Sequence, residues 1–205
     1  MEQQLETAAS FLRQGKVVAL PTDTLYGLGA NPFMEKAVDR IFQIKGRPKD
    51  MALPLLLSHI EDLSKYAKVV SPLAWKLAYR FLPGALTLVL LKSPHIPDSI
   101  TGGTSSVALR VPDHPVPRLL ADMIGAPVTG TSANFAGMPA ATSAEEVRRQ
   151  MEHVIDFIID AGPPPKGIAS TIIDLTSPRP KLLRDGFISR EQLQEACGEI
   201  IDVSS

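Results

Sequence analysis

Residues 16–54 constrain the fold of this chain more strongly than any other segment. A short apolar run, VVAL at residues 17–20, has the length and composition of a buried strand, and a turn rich in Thr, Asp and Gly follows it. An apolar-periodic helix over residues 34–44 then leads into the sequence KGRP, which carries Lys45 and Arg47. Because open α/β sheets commonly bind ligands at the carboxyl ends of their strands, this segment predicts a site for an anionic ligand.

Strand and helix patterns alternate along the rest of the chain, which is typical of an α/β fold. Further helices are predicted over residues 2–14, 72–82 and 115–124. The predicted strands lie at residues 17–20, 53–57, 86–91, 107–111, 127–130, 154–159, 170–175 and 181–184. Three Ser-x-x-Glu/Gln patterns predict capping boxes at helix starts, namely Ser58 with Glu61, Ser143 with Glu146, and Ser189 with Gln192. The sequence contains no repeat or linker, so we expect a single domain over residues 1–205, with one twisted open sheet of mixed parallel and antiparallel strands and flanking helices.

Composition narrows the class of protein. The formal net charge of −1 argues against a strongly basic coat for nucleic acid, although a local basic groove stays possible because the field depends on where charges lie. One cysteine, Cys197, cannot form a disulfide framework within the chain. The first residues lack the pattern of a signal peptide, and no apolar run is long enough to span a bilayer. We therefore expect a soluble cytoplasmic protein without a membrane association.

Lys45 and Arg47 have two interpretations. Cations at the end of a helix complement its dipole, and most such side chains are solvated. In the sequence KGRP, however, Pro48 restricts Arg47 to extended backbone geometry and holds the two cations close together. A point-charge ammonium beside a forked guanidinium is well suited to a polyphosphate.

Other polar segments are equally open at this stage. Residues 22–24 and 131–134 either hold turns through side chain–backbone bonds or bring hydroxyl and amide groups to a ligand. The Gly102-Gly103 pair is either an anion nest or a surface loop, and residues 162–167 form a further Gly- and Pro-rich loop. Arg110 lies within the apolar run 107–111, where a buried charge needs a partner. Either a ligand carboxylate or a structural Asp would serve. Simple alternation places its side chain opposite those of Val107, Leu109 and Val111.

Several stretches together resemble the YrdC family of L-threonylcarbamoyladenylate synthases. They are PTDTLYGL at 21–28, KGRP at 45–48, ALRVP at 108–112, TSAN at 131–134, STIID at 170–174 and LRDG at 183–186. The resemblance extends over nearly the whole chain, in order, and corresponds to the short, single-domain form of the family. It implies a YrdC-like fold and the condensation of L-threonine, bicarbonate and ATP into threonylcarbamoyl-AMP, with release of pyrophosphate.

The resemblance also implies roles for individual residues. Lys45, Arg47, Ser132 and Asn134 would form a catalytic tetrad around the nucleotide phosphates, and Ser106 and Arg184 would also contact ATP. Thr22, Arg110 and Ser170 match positions that bind threonine. Asp23 stands where many members have Glu, so no role is assigned to it. Mg²⁺ is expected to accompany ATP, and its protein ligands are unknown.

The implied partners are a threonylcarbamoyl transferase complex that receives the product, for modification of tRNA beside the anticodon, and weakly bound tRNA itself. One alternative from another class of protein is a non-catalytic module of the same fold that binds double-stranded RNA or tRNA. The near-neutral charge and the absence of an aromatic-basic stripe weaken this alternative. Neither a Walker A loop nor a nucleophile elbow is present, so any ATP chemistry needs a different phosphate cradle.

Overall fold

The computed structural model describes residues 1–161, 167–198 and 201–203. Of the Gly- and Pro-rich loop predicted at residues 162–167, all but Gly167 lie outside the described residues. The helices are α1 (Glu2–Arg13), α2 (Glu35–Lys45), α3 (Leu63–Tyr66), α4 (Pro72–Phe81), α5 (Asp98–Thr101), α6 (Pro115–Ile124), α7 (Ala144–Met151) and α8 (Arg190–Cys197), with a 3₁₀ turn at Ile60–Asp62.

The strands form two sheets rather than the one sheet predicted. They are β1 (Val18–Leu20), β2 (Gly27–Gly29), β3 (Leu55–Leu56), β4 (Leu86–Leu91), β5 (Ser106–Arg110), β6 (Val128–Thr129), β7 (Thr131–Ser132), β8 (Phe157–Ile158), β9 (Thr171–Asp174), β10 (Lys181–Arg184) and β11 (Asp202–Val203). The smaller sheet has the order β7-β2-β1-β8 and the larger one β11-β10-β9-β4-β5-β3-β6. Both sheets mix parallel and antiparallel pairs, which confirms the predicted α/β class with flanking helices.

Sheet pairing brings distant segments of the sequence to one place. β1 pairs antiparallel with β2, and β2 pairs antiparallel with β7, where Gly27 lies opposite Ser132. In the larger sheet β3 runs parallel to β5, with Leu56 opposite Arg110, and β4 runs parallel to β9. The turn after β1 and the segment around β7 therefore lie close together, and the end of β5 joins them because Arg110 donates to Thr24 of the turn.

The core explains why β1 is continuously apolar. Side chains of a strand alternate between its two faces. Val17 and Ala19 pack in a large cluster with residues of β4 and β5, whereas Val18 and Leu20 pack in a second cluster with α1 and α6. Because both faces of this strand are buried, no polar position alternates along it.

One of the three predicted capping boxes forms in full. The Ser189–Gln192 capping box is confirmed in both hydrogen bonds. Ser143 accepts the predicted bond from the Glu146 N–H, but the Glu146 carboxylate accepts from Thr142 instead of closing the box. The predicted box at Ser58 with Glu61 is wrong by one residue, because the carboxylate of Asp62 accepts both the Ser58 hydroxyl and the His59 N–H.

The helices of the described part of the chain are all too short, or too polar, to cross a membrane.

Candidate functional site

A cavity of about 560 Å³ lies where the ends of these strands meet. Three guanidinium groups line it, those of Arg47, Arg110 and Arg184, and among the described residues no Asp or Glu does. Hydroxyl and amide groups alternate with apolar side chains over the rest of the wall. An enclosure with several fixed cations and no lining carboxylate favours an anionic ligand.

The turn after β1 is fixed by one hydroxyl. Thr22 Oγ1 accepts the N–H groups of Thr24 and Leu25, each at 3.2 Å, and donates to the Leu25 carbonyl at 2.7 Å. The hydroxyl of Thr24 lies 3.0 Å from that of Thr22. Both threonines are buried and line the cavity. The same residues therefore hold the turn and face the cavity.

Arg110 lies on the cavity face of β5, while Val107 and Leu109 point into the core, which confirms the predicted alternation. Its guanidinium donates from Nη2 to Asp23 Oδ1 at 2.6 Å, from Nη1 to Thr24 Oγ1 at 2.9 Å, and from Nε to the Gly84 carbonyl at 2.9 Å. Burial lowers the pKa of Arg110, and the charge of Asp23 opposes that shift. The partner that the sequence required is thus Asp23, although the guanidinium also faces the cavity.

Lys45 is not the solvated helix-end cation that one interpretation predicted. It is 5% exposed, and its Nζ donates to the carbonyls of Ser132 and Asn134 and to Asn134 Oδ1, at 2.6, 2.9 and 3.0 Å. Burial, and secondly the nearby charge of Arg47, lower the pKa of Lys45 to about 8. Lys45 stands behind the wall formed by residues 132–134 rather than in the cavity lining.

Arg47 lines the cavity with spare hydrogen-bonding capacity. Its Nη1 donates to Thr131 Oγ1 at 3.0 Å. Its Nε is buried and has no acceptor among the described residues. Burial lowers the pKa of Arg47. A buried donor without a partner is unfavourable in the free protein, and a ligand oxygen would relieve it.

Ser132 and Asn134 hold the local backbone turn and also line the cavity. The Ser132 hydroxyl donates to Asn134 Oδ1 at 2.7 Å, and Asn134 Nδ2 donates to the Met138 carbonyl. Both side chains also line the cavity. Residues 131–132 form the short strand β7, directly after the strand predicted over residues 127–130.

Arg184 and Ser170 meet at the opposite side of the cavity. Arg184 donates from Nε and Nη2 to the Ser170 carbonyl at 3.0 and 2.7 Å, and from Nη2 to Ser170 Oγ at 3.0 Å. The Ser170 hydroxyl lies 2.9 Å from that of Thr87, a buried lining residue that the sequence analysis missed. Thr87 is the one polar residue in the apolar run LTLVLL, and this pattern could have identified it, as the apolar run 107–111 identified Arg110.

Two predicted candidates lie elsewhere. Ser106 begins β5, at the end opposite Arg110, and its hydroxyl contacts Thr104 Oγ1 at 3.2 Å. It is not part of the cavity lining. Gly102 ends α5 in the left-handed conformation, with φ +60°, and a Cβ there would collide with the backbone of Asp50. Close packing of two loops accounts for this glycine without an anion nest.

Metal binding has little support from the side chains present. Among residues 1–161, 167–198 and 201–203, no three His, Cys, Asp or Glu side chains are grouped so that they could hold an ion. The cavity offers hydroxyls and an amide, whereas Mg²⁺ sites in proteins are usually built around one or two carboxylates. The described residues therefore do not fit a resident metal site.

Comparisons with known proteins converge on one family. A family model described as Sua5/YciO/YrdC, telomere recombination, matches residues 10–186. The chain is similar to the threonylcarbamoyl-AMP synthases of Pyrococcus abyssi (45% identical, 97% of this chain and 58% of that protein) and Bacillus subtilis (41% identical, 96% and 57%). It therefore spans somewhat over half the length of these relatives. The crystal structure of P. abyssi Sua5 complexed with L-threonine superposes with a TM-score of 0.95 at 44% identity, covering 100% of this chain and 60% of that one.

Proposed function

Because this chain belongs to the Sua5/YciO/YrdC family, as its motifs predicted, we propose that it is an enzyme, an L-threonylcarbamoyladenylate synthase. It would condense L-threonine, bicarbonate and ATP into threonylcarbamoyl-AMP and pyrophosphate. The observation that carries the proposal is the cavity itself, with three guanidinium groups and no lining carboxylate among the described residues. The reaction brings a carboxylate, a carbamate and a triphosphate into one space, so fixed cations are the groups it needs most.

Arg110 is the proposed partner of the threonine carboxylate. A guanidinium has five N–H donors, and three of them are used by Asp23, Thr24 and Gly84. The remaining two, one on each terminal nitrogen, can bind a carboxylate. Thr22 and Ser170 line the same cavity and are proposed to contact threonine as well. The similarity to P. abyssi Sua5, whose structure holds L-threonine, supports this assignment.

The nucleotide phosphates are proposed to lie against Arg47, Ser132 and Asn134. The unsatisfied Nε of Arg47 supplies a ready donor for a phosphate oxygen. Lys45 adds positive charge from behind and holds residues 132–134 in place. Arg184 lines the cavity and is proposed to contact ATP, whereas the distance of Ser106 from the cavity lining leaves its predicted contact unsupported.

The chemistry uses these groups for binding and charge stabilisation. The threonine amine attacks the carbon of carbon dioxide or bicarbonate to form a carbamate. A proton leaves the nitrogen in the first case, and water leaves in the second. A carbamate oxygen then attacks the α-phosphorus, and the pyrophosphate departs with the electrons of the broken P–O bond. No covalent enzyme intermediate is required, so positioning of two anions and stabilisation of the leaving group are what the protein contributes. Mg²⁺ is proposed to enter with ATP, since the described residues contain no group of His, Cys, Asp or Glu side chains that could hold it.

The product would pass to a threonylcarbamoyl transferase complex for tRNA modification, and the proposed location of the protein is the cytoplasm. A pyrophosphate-release assay in which threonine, bicarbonate and ATP are omitted in turn tests the proposal. Release that requires all three substrates is the expected result. Release without threonine, or none at all, would contradict it. If instead the protein binds tRNA tightly and releases no pyrophosphate, the RNA-binding alternative holds.

A further inference from the structure

The turn after β1 connects a carboxylate to the guanidinium that faces the cavity. Among the ion pairs of the described residues, the pair between Asp23 and Arg110 is the one that joins a carboxylate to a cavity-lining cation. Both side chains are well shielded, with 7% of Arg110 and 15% of Asp23 exposed. Asp23 itself does not line the cavity, and its contact with a lining cation is the ion pair with Arg110.

The contacts fix the guanidinium plane from three sides. Each of its three nitrogens donates to a different acceptor, Asp23 Oδ1, Thr24 Oγ1 and the Gly84 carbonyl. Two of these acceptors belong to consecutive residues of the turn that the Thr22 hydroxyl stabilises. The orientation of the two remaining N–H donors is therefore set by two residues of the turn together with the Gly84 carbonyl.

The charge of Asp23 matters as well as its position. Burial disfavours the charged guanidinium of Arg110, and the positive charge of Arg184 acts in the same direction. Asp23 opposes both effects. A neutral acceptor of the same shape would retain a hydrogen-bonding oxygen, but it would leave the two guanidinium groups to repel each other across the cavity.

We propose that Asp23 is a positioning residue, which orients Arg110 so that its two free N–H groups meet the threonine carboxylate. This inference rests on the proposed function and adds a residue to it. Asp23→Asn preserves the shape and one oxygen, so it removes chiefly the charge and the strength of the contact. Asp23→Glu restores the charge with a side chain one methylene longer.

The test measures the Michaelis constants for threonine and ATP by pyrophosphate release, together with thermal unfolding. Asp23→Asn should raise the threonine constant roughly tenfold, the lower range for a hydrogen bond to a charged group. The ATP constant should change much less, because Asp23 contacts neither Arg47 nor Arg184, the two arginines proposed to bind the nucleotide. Asp23→Glu should return the threonine constant close to the wild-type value. Asp113→Asn, at an exposed position shortly after β5, is the matched control.

The outcomes separate this inference from the function on which it rests. Irreversible loss of folded protein lowers only the apparent kcat, whereas reversible unfolding raises the apparent constants for both substrates together. The decisive quantity is therefore a rise in the threonine constant that the ATP constant does not share. A wild-type threonine constant in Asp23→Asn, with or without a lower melting temperature, would give Asp23 a structural role alone and refute the inference. Equal increases in both constants would refute it too. A wild-type protein without threonine-dependent release would instead overturn the proposed function.

Discussion

Replacing Arg47 by lysine should weaken nucleotide binding without weakening the fold. In the free protein, Nη1 of Arg47 is bonded to Thr131, whereas its buried Nε lacks an acceptor among the described residues. A lysine keeps the positive charge at this position. It has no donor equivalent to Nε and cannot bind a phosphate with two parallel hydrogen bonds.

The expected magnitude follows from the unsatisfied donor. Leaving a buried donor without a partner costs about 1–3 kcal/mol, and more when the group is charged. A phosphate oxygen that accepts from Nε recovers this free energy on binding. Arg47→Lys should therefore raise the Michaelis constant for ATP by roughly 5- to 150-fold, the equivalent of about 1–3 kcal/mol of binding free energy. The free variant loses the unfavourable buried Nε, so its melting temperature should stay the same or rise.

Steady-state pyrophosphate release gives the ATP and threonine constants, and differential scanning fluorimetry gives the melting temperature. Arg149→Lys provides the control, because Arg149 is exposed on α7 and takes no part in the cavity lining. The threonine constant should change little in either variant. An unchanged ATP constant in a folded Arg47→Lys protein would refute the assignment of Arg47 to the phosphates. A large fall in melting temperature would refute the account of its Nε.

Three further predictions concern the neighbouring residues. The pKa of Lys45 is about 8 in the folded protein, whereas the ordinary value is 10.5. At a pH between these two values, Lys45 is therefore largely protonated in the unfolded chain and largely neutral in the folded protein. Chemical denaturation should show wild-type stability rising across that pH window relative to Lys45→Met, by up to about 3 kcal/mol, and parallel curves would contradict it. Arg110→Lys keeps the charge but cannot bind a carboxylate with two parallel hydrogen bonds, so the Michaelis constant for threonine should rise most. An unchanged Michaelis constant for threonine with a lower melting temperature would give Arg110 a structural role alone. Asn134→Ala should abolish most activity and lower the free energy of unfolding by roughly 1–2 kcal/mol, because the Asn134 amide bonds to both Lys45 and Met138. A fully active but less stable variant would give Asn134 a structural role alone.

Regular elements with a strong local pattern were predictable from the sequence. The bounds of α6 and β4 agree with the prediction, because Pro115 and Gly125 mark the helix ends and a continuous apolar run marks the strand. β2 was missed because its sequence, Gly-Leu-Gly, has no β-branched residue and lies within a turn-like segment. Its glycine at position 29 is required by packing, since a Cβ there would lie 2.6 Å from Leu20 and 2.7 Å from Val128. Both contacts come from other strands, which no local pattern reveals.

The division into two sheets was not predictable for a related reason. It depends on whether β7 pairs with β2 or continues the strand before it. Thr131 and Ser132 are separated from Gly27 and Leu28 by more than a hundred residues. The pairing is decided by burial and by the fit of backbones in three dimensions, and neither is visible in two short polar residues.

The site shows the same limit for electrostatics. The sequence identified the four cations, but it could not tell that Lys45 is buried behind the wall with three neutral oxygen acceptors, while Arg47 faces the cavity with a donor to spare. Nor could it tell that Asp23 pairs with Arg110. These states depend on desolvation, which arises only when the strands and turns have assembled.

The arrangement of charge carries a stability cost that has a functional explanation. Burial is the main cause of the lowered pKa of Lys45 and of Arg110, and the positive charges of Arg47 and Arg184 add to it, so like charges repel within each pair of cations. A chain selected for stability alone would place carboxylates between them, as Asp23 is placed beside Arg110. Lining carboxylates would, however, compete with the phosphates and the carboxylate of the proposed substrates for the same donors. Among the described residues, no carboxylate therefore lines the cavity to neutralise its arginines. Anionic ligands would supply the missing negative charge.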